Sequence, residues 1–350
     1  MSLSTAIRDR DVAQLPTKRD EDWRWTDLRG LIRVLPPPSL PLEGDLGDGP
    51  FDELVQRKIV VANGRGEAVI DVPAGETAWV SLRFISASDG AHAASASIVV
   101  GAGATLHLFE TYEGQGAYVA QTSLTFALGE GAAVERVVLA NDSAGGVSVS
   151  QAEVRLAPRA DFAQTVVTSG GRRQRIETRV AHPGGHASLR LDGVYLLADK
   201  AHADLTTVVT HTGTDGTTEQ LTKGVVRDQA RGVFQGRIVV AEGADRTDAK
   251  MGHHALILSD KAEVDAKPEL EIYADEVACA HGNTVGALDE DALFYARQRG
   301  MSETEARALL TEAFIGQVID RIDRDEAREV VRAWAAERLA RDGVAKRGGA

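Results

Sequence analysis

The stretch "GAGATLHLFETY", residues 101–112, joins a turn of small residues to a run in which apolar and polar side chains alternate. Alternation at every second position is typical of a β-strand with one buried face, and the small residues predict a turn before the strand. The same arrangement returns in three later stretches, which read "GEGAAV" (129–134), "APRADF" (157–162) and "PGGHASL" (183–189). The sequence therefore repeats a unit of one turn and one strand.

The repeated unit has a regular length. The apolar residues that follow the four turns are Leu106, Val134, Phe162 and Leu189. Their separations are 28, 28 and 27 residues, and 28 residues also separate Leu205 from Val233. Such a period predicts the stacked coils of a β-solenoid. A large β-sandwich stays open as the alternative on periodicity alone, whereas a doubly wound α/β fold is disfavoured because crossover helices are missing.

Two segments of different texture flank this β-region, which we place at residues 76–288. The first segment, 1–75, is helical or mixed. In it "TKRDEDWRWTDLRGLI" predicts a short helix, and "LPPPSLPLEG" predicts an extended linker because proline blocks helix continuation. Trp23 and Trp25 are predicted to anchor the segment to the core, as large aromatic side chains commonly do.

The last segment, 289–350, is predicted to be helical. A first helix stops at Gly300, and Ser302 with Glu305 forms a capping box that opens a second helix. This second helix carries an apolar stripe, made of Leu310, Phe314, Ile315, Val318, Ile319 and Ile322. The helices are too few to enclose a large core, so their stripes should pack on the β-region or on another protein.

The charge balance excludes one large class of function. The chain has 39 basic and 52 acidic residues, a net charge of −13, which is the wrong sign for binding a nucleic-acid backbone. No apolar run approaches the roughly 20 residues of a membrane-spanning helix, and the first residues lack the apolar core of a secretion signal. A single cysteine cannot form an internal disulfide, which favours the reducing cytoplasm.

That cysteine, Cys279, stands two positions before His281 in "ACAHGNT". On a strand the two side chains share a face, about 7 Å apart. Thiolate and imidazole are both good ligands for iron or zinc, and a nearby imidazolium would lower the pKa of the thiol. A buried cysteine that only packs in the core is the alternative. Two ligands make half of a tetrahedral site, so a metal site here needs ligands from a second chain.

The tandem pair His253–His254, in "KMGHHALILSD", is a weaker candidate for metal binding. The pair enters a predicted strand, and adjacent strand residues face opposite sides of a sheet. The two imidazoles are therefore predicted to be core or solvated side chains.

Three stretches of the chain resemble the SufB/SufD scaffold family of iron–sulfur cluster assembly, and the SufD type within it. The long block that begins "AKPELEIYADEVACAHGNTVGALDEDALFYARQRG" resembles its C-terminal signature. The early "LPTKRDEDWRWTDLR" resembles its N-terminal segment, and "RTDAKMGHHALILSDKAEVDAKPELEIYADEV" resembles its late strands. The resemblance implies a mainly β fold, a right-handed parallel β-helix between helical segments, without enzymatic activity of its own.

The resemblance also implies partners and roles for particular residues. The chain would join a SufB-like scaffold subunit through the β-helix and a SufC-like ATPase through its C-terminal helices, at the stripe of Phe314, Ile315 and Val318. His281 would contribute to a transient iron–sulfur cluster at the SufB interface, with Cys279 in the expected place. The isolated chain would bind no cluster, and a homodimer is the state suggested for it.

Two further interpretations stay open at this point. The first is a stand-alone β-solenoid enzyme, either a polysaccharide lyase or an acyltransferase. Lyases of this kind are usually secreted, and the six-residue period of the acyltransferases is not found in this sequence. The second is a SufB-like scaffold subunit, which the C-x-H-G spelling around Cys279 disfavours.

Overall fold

The computed structural model describes residues 3–344, with side chains described up to residue 340. Within these residues the chain forms two parallel β-sheets and five α-helices. The first sheet contains, in spatial order, β1 (Arg57–Ala62), β3 (Thr77–Ala87), β5 (Thr105–Gln115), β7 (Ala133–Asn141), β9 (Asp161–Thr168), β11 (Ser188–Leu197), β13 (Thr217–Val226), β15 (Asp248–Ile257) and β17 (Ala278–Gly286). The second sheet contains β2 (Val69–Val72), β4 (Ala91–Val100), β6 (Val119–Leu128), β8 (Val147–Arg155), β10 (Arg173–His182), β12 (His202–His211), β14 (Arg231–Val240) and β16 (Glu263–Ile272). The helices are α1 (Leu3–Asp9), α2 (Leu28–Leu31), α3 (Glu290–Gln298), α4 (Glu303–Ile319) and α5 (Asp325–Val344).

Successive strands alternate between the two sheets, so that each coil gives one strand to each sheet. Neighbouring strands within a sheet are parallel and lie in register, as for β9 beside β11 and β10 beside β12. This is a parallel β-helix, and it confirms the fold predicted from the repeat. A sandwich built from hairpins would instead show antiparallel pairs.

The predicted period is confirmed in the first sheet, where Leu106 pairs with Val134, Val134 with Phe162, and Phe162 with Leu189. All four side chains point into the interior between the sheets and belong to one apolar core. A second marker repeats with them: Gly103 adopts a positive φ of 64°, as do the residues 28 and 56 positions later. Glycine reaches this left-handed region without steric cost, so "GAGA" and "GEGA" turn the chain at the same point of each coil.

One predicted pairing was wrong. Leu205 lies beside Phe234 rather than Val233, because this coil is one residue longer than the earlier coils of 28. Val233 pairs with Asp204 and points away from the interior. The spacing counted from the sequence was therefore one residue short, which on a strand places a side chain on the opposite face.

The N-terminal segment packs on the outer face of the second sheet. Trp23 lies over the guanidinium of Arg175 at 4.4 Å, and the carbonyl of Trp25 accepts a hydrogen bond from His202. The predicted anchoring role of the two tryptophans is confirmed. The structure differs from the sequence prediction in one respect, since strands β1 and β2 already lie within the segment 1–75.

The C-terminal helices pack on the outer face of the first sheet. The capping box is confirmed, because the Ser302 hydroxyl accepts from the Glu305 backbone and the Glu305 carboxylate accepts from the Ser302 backbone. The buried face of α4 consists of Ala306, Thr311, Ile315, Val318 and Ile319. Leu310 and Phe314 lie at its margin and are half-buried. Within the described chain, no helix is long and apolar enough to span a membrane.

Ion pairs fix the link between α4 and α5 to the sheet. Arg321 donates from its Nε to the buried Asp192 carboxylate at 2.8 Å. Burial raises the pKa of Asp192 to about 6, and the Arg321 guanidinium opposes that shift. The Glu135 carboxylate accepts from the backbone N–H groups of Asp323 and Arg324, just before α5 begins. A side chain of the sheet thus satisfies donors that the start of a helix leaves free.

Candidate functional site

The β-helix ends at β17 without a covering strand. β17 pairs with β15 on one side, and within residues 3–344 no strand pairs with its other side. The Ala278 N–H donates to the Thr247 carbonyl, on the side of β15. Since alternate residues of a parallel strand direct their N–H groups to opposite neighbours, the N–H groups of Cys279, His281 and Asn283 face the open side. This edge is a set of unsatisfied backbone donors and acceptors.

Cys279 and His281 share one face of β17, as the sequence predicted. Cys279 pairs with Ala249 and His281 with Met251, and both of these partners are buried in the interior core. The side chains on β17 therefore continue the interior column of the β-helix. Cys279 is half-buried against that core, whereas His281 is exposed because no further coil covers it. We call this uncovered last coil the open end.

The opposite wall of the open end is apolar. The inward-facing residues of β16 include Val264 and Leu270, which are half-buried and pack against the interior core. Ile272, at the end of the strand, and Tyr273, just after it, are 41% and 64% exposed. An imidazole and a thiol thus stand opposite an apolar wall at a sheet edge, an arrangement suited to a contact with another protein chain.

The environment of Cys279 does not activate its thiol. Burial raises the pKa of Cys279, and the nearby Asp248 carboxylate raises it as well, while a backbone hydrogen bond from Ala249 acts in the opposite direction. The prediction that a neighbouring imidazolium would lower this pKa was wrong, because an exposed imidazole contributes less here than burial does. Cys279 is a thiol rather than a thiolate at neutral pH in the isolated chain.

This chain does not contain a complete metal site among its described residues. Nowhere in that part of the chain do three His, Cys, Asp or Glu side chains come close enough together to hold a metal ion. The tandem His253–His254 pair divides as predicted: His253 is fully buried in the interior, and His254 lies on the outer face beside Thr284. Any metal at the open end would need ligands from outside this set.

The structure does not place all three predicted docking residues at a surface. Ile315 and Val318 are fully buried against the first sheet, in the core they share with Phe109 and Val194. Phe314 is half-buried, and the Lys223 ammonium lies 4.1 Å from its ring centroid. As they stand, Ile315 and Val318 pack within this chain, so only Phe314 keeps a partly accessible face.

Sequence reasoning missed the residues that the C-terminal helices do expose. Phe294 and Tyr295 on α3 are 64% and 60% exposed, and Leu309 on α4 is 46% exposed. Apolar residues grouped on the outside of a helical segment are typical of a contact surface. The signal for them was the acidic start and apolar run of "DEDALFY", which the helix pattern alone assigned to an internal face.

Comparison with known proteins agrees with this architecture. Residues 83–314 match the family model described as the SufBD core domain of SUF system FeS cluster assembly. The iron–sulfur cluster assembly protein SufD of Escherichia coli (strain K12) is 28% identical over 270 residues, which are 77% of this chain and 58% of that protein.

Two SufBD family proteins are also similar to this chain. The one from Synechocystis is 31% identical over 195 residues, covering 56% of this chain and 43% of its own length. The one from Mycobacterium leprae (strain TN) is 28% identical over 367 residues, covering 92% and 90%. The chain thus spans about half the length of the E. coli and Synechocystis relatives and most of the mycobacterial one. With a family model over most of its β-helix, the chain belongs to the SufB/SufD family of the SUF system for iron–sulfur cluster assembly.

Proposed function

We propose that this chain is a non-catalytic, SufD-like subunit of a complex with a SufB-like scaffold and a SufC-like ATPase. The observation that carries the proposal is the open end, where His281 is exposed on an unpaired strand above the half-buried Cys279. Its likeness to E. coli SufD, which is named as an assembly protein, supports the SufD type. The cytoplasm is the proposed compartment, because a single free thiol fits a reducing environment.

The open end is the surface proposed for the SufB-like subunit. An edge strand with free N–H and C=O groups accepts a strand of another chain, and the apolar wall gives such a contact a core to bury. His281 and Cys279 would then face the partner, whose thiolates would complete the ligand set of a nascent cluster. The cluster is the cargo of this assembly, and the isolated chain is proposed to bind none.

The C-terminal part, 289–350, is the surface proposed for the ATPase. Phe314 of the original docking stripe keeps a half-exposed ring, and the exposed Phe294, Tyr295 and Leu309 extend the surface over α3 and α4. ATP-driven movement of the partner would reach the β-helix through the ion pair between Arg321 and Asp192. A homodimer through the same open end is the state proposed for the isolated chain.

Co-expression with the partner subunits, followed by anaerobic measurement of iron and sulfide, tests the proposal. Wild-type complex should contain both, the isolated chain neither, and the His281→Ala complex should assemble with little of either, because alanine leaves a coordination position to water. His186→Asn is the matched control, since His186 is exposed in a left-handed turn of another coil and asparagine tolerates that turn. Full iron content in His281→Ala would exclude His281 as a ligand, and a stoichiometric cluster on the isolated chain would exclude the shared site.

A further inference from the structure

A histidine lies in the interior of the β-helix, one coil below the open end. His253 on β15 is fully buried, and its ring stacks on Phe234 of the second sheet with 4.7 Å between centroids and 7° between ring planes. Its Nε2 lies 2.9 Å from the Tyr195 hydroxyl, and its Nδ1 lies 2.7 Å from the Asn283 Oδ1. Asn283 is exposed on β17. Three side chains thus form a hydrogen-bonded file from the interior to the open end.

The chain makes room for this file with glycine. Tyr195 on β11 reaches His253 on β15 by passing over β13, where Gly224 is its register partner. A Cβ on Gly224 would lie 1.9 Å from the tyrosine Cζ, and a Cβ on Gly232 of β14 would lie 2.5 Å from its Cε2. No side chain fits at either position while Tyr195 keeps this pose, so the two glycines are what allow the phenol to reach the imidazole.

The direction of the hydrogen bonds follows from the chemistry of the last member. The Asn283 Oδ1 can only accept, so the His253 Nδ1 must carry the proton. Burial lowers the pKa of His253 to about 4, so the imidazole is neutral at pH 7 and its Nε2 accepts from the Tyr195 hydroxyl. The file therefore holds the Asn283 amide with its oxygen inward and its NH2 group outward. Among the described residues, no hydrogen-bond acceptor pairs with that NH2 group.

Asn283 stands two positions after His281 on the same face of β17. Two rises of about 3.3 Å separate them along the strand, which places the outward amide donors beside the imidazole. We propose that the Asn283 amide donates a hydrogen bond to a sulfur anion of the cluster held at His281, and that Tyr195 and His253 position it for this. The inference rests on the proposed function and adds a donor to that site.

A donor of this kind has a measurable consequence. Hydrogen bonds to the sulfurs of a cluster stabilise its more negative, reduced form and so set its reduction potential. Asn283→Asp is the sharpest variant, because it keeps the oxygen that accepts from His253 and replaces the outward NH2 group with a negatively charged oxygen. Asn283→Ala removes both groups. Both changes lie at an exposed position and leave the interior packing intact.

The experiment is a redox titration of the reconstituted complex with the SufB-like partner, together with its iron content and thermal midpoint. Asn283→Asp and Asn283→Ala should shift the potential to more negative values, the aspartate more strongly, at unchanged iron content. Thr284→Ala, on the outer face of the same strand, is the control and should titrate like wild type. Equal potentials for wild type and both Asn283 variants would overturn the inference.

The positioning role has its own variant. The double change Tyr195→Phe with His253→Phe keeps the ring stack on Phe234 and leaves no buried polar atom unpaired, so the β-helix should fold. Its potential should shift in the same direction as that of Asn283→Ala. A wild-type potential in the double variant would overturn the role of the file, even if Asn283 itself donates. A wild-type complex without iron and sulfide would overturn the proposed function and this inference with it.

Discussion

Cys279 is the only thiol of the chain, so its titration can be followed without removing other cysteines. Because burial and the Asp248 carboxylate raise its pKa, the thiolate should appear only above the pH at which an ordinary cysteine ionises. The rate of iodoacetamide alkylation against pH measures this. We expect a midpoint above that of a free cysteine, and a lower midpoint in Asp248→Asn, which loses the repelling charge. A midpoint below that of free cysteine would contradict the described environment.

The shared face of Cys279 and His281 was predictable because it depends only on the two-residue period of a strand. The environment of the thiol was not, since Asp248 and Ala249 lie about 30 positions earlier in the chain and reach Cys279 only through the register of β15 with β17. The same holds for His253, which was predicted as a core or solvated histidine. Its contacts with Tyr195 and Asn283 bridge strands that no local pattern connects.

The helices show the same division between local and long-range information. The capping box of Ser302 and Glu305 was predicted correctly, because all of its atoms lie within four residues. Which side of α4 is buried was predicted less well. The stripe was counted at a spacing of four through Phe314, whereas the sheet covers Ile315 and Val318 more completely. The axis angle of the helix against the sheet decides this, and the ion pair between Arg321 and Asp192 helps to set that angle.

Substitutions on α4 distinguish its inner from its outer face. Val318→Asp should lower the free energy of unfolding by more than about 3 kcal/mol, because it buries a charge without a counter-ion. Leu309→Asp, on the same helix, should change it by less than about 0.5 kcal/mol, since Leu309 is exposed. Urea denaturation of the two variants makes the comparison.

Binding of the SufC-like ATPase should respond in the opposite order of cause. Leu309→Asp should weaken binding while the chain stays folded, because it places a charge on the proposed contact surface. A pull-down with the ATPase subunit reports this. Denaturation of Val318→Asp at the wild-type urea concentration would show that α4 does not pack as described.

At the level of the complete β-helix, the repeat of 28 residues was enough to predict parallel coils, because each coil places similar residues at similar positions. The one error, at Leu205 and Val233, arose from a coil with one additional residue. The location of the open end could not be read from the repeat. It follows from where strand pairing stops, and a strand that pairs on one side has the same alternating pattern as one that pairs on both.

The exposed edge of β17 gives a prediction about assembly. Val285 is an odd-numbered residue of the strand, so its N–H faces the open side, and proline there should leave the pairing with β15 intact. Val285→Pro should therefore weaken association with the SufB-like partner at least about tenfold, a loss of about 1.4 kcal/mol. The thermal midpoint of the isolated chain should stay near that of wild type. Sedimentation of the mixed subunits measures the association.

Gly282→Pro is the matched control for this experiment. The N–H of Gly282 faces β15, so proline there removes a hydrogen bond within the chain and should lower the thermal midpoint of the isolated chain. Equal midpoints for the two proline variants would contradict the assignment of which N–H groups are free. Unchanged association of Val285→Pro would show that the partner does not pair with this edge.

The position at which α4 rests on the coils has a consequence for how such a chain can change in length. α4 contacts β11 and β13, and only β15 separates β13 from the last strand of that sheet. Each coil advances the β-helix by about 4.8 Å. Coils gained or lost before β11 would lengthen or shorten the far end, yet leave the distance from the helices to the open end untouched. A coil inserted between β13 and β17 would displace the cargo site from the motor-binding helices by that full step. The chain is therefore free to vary in length on one side of α4 and constrained on the other.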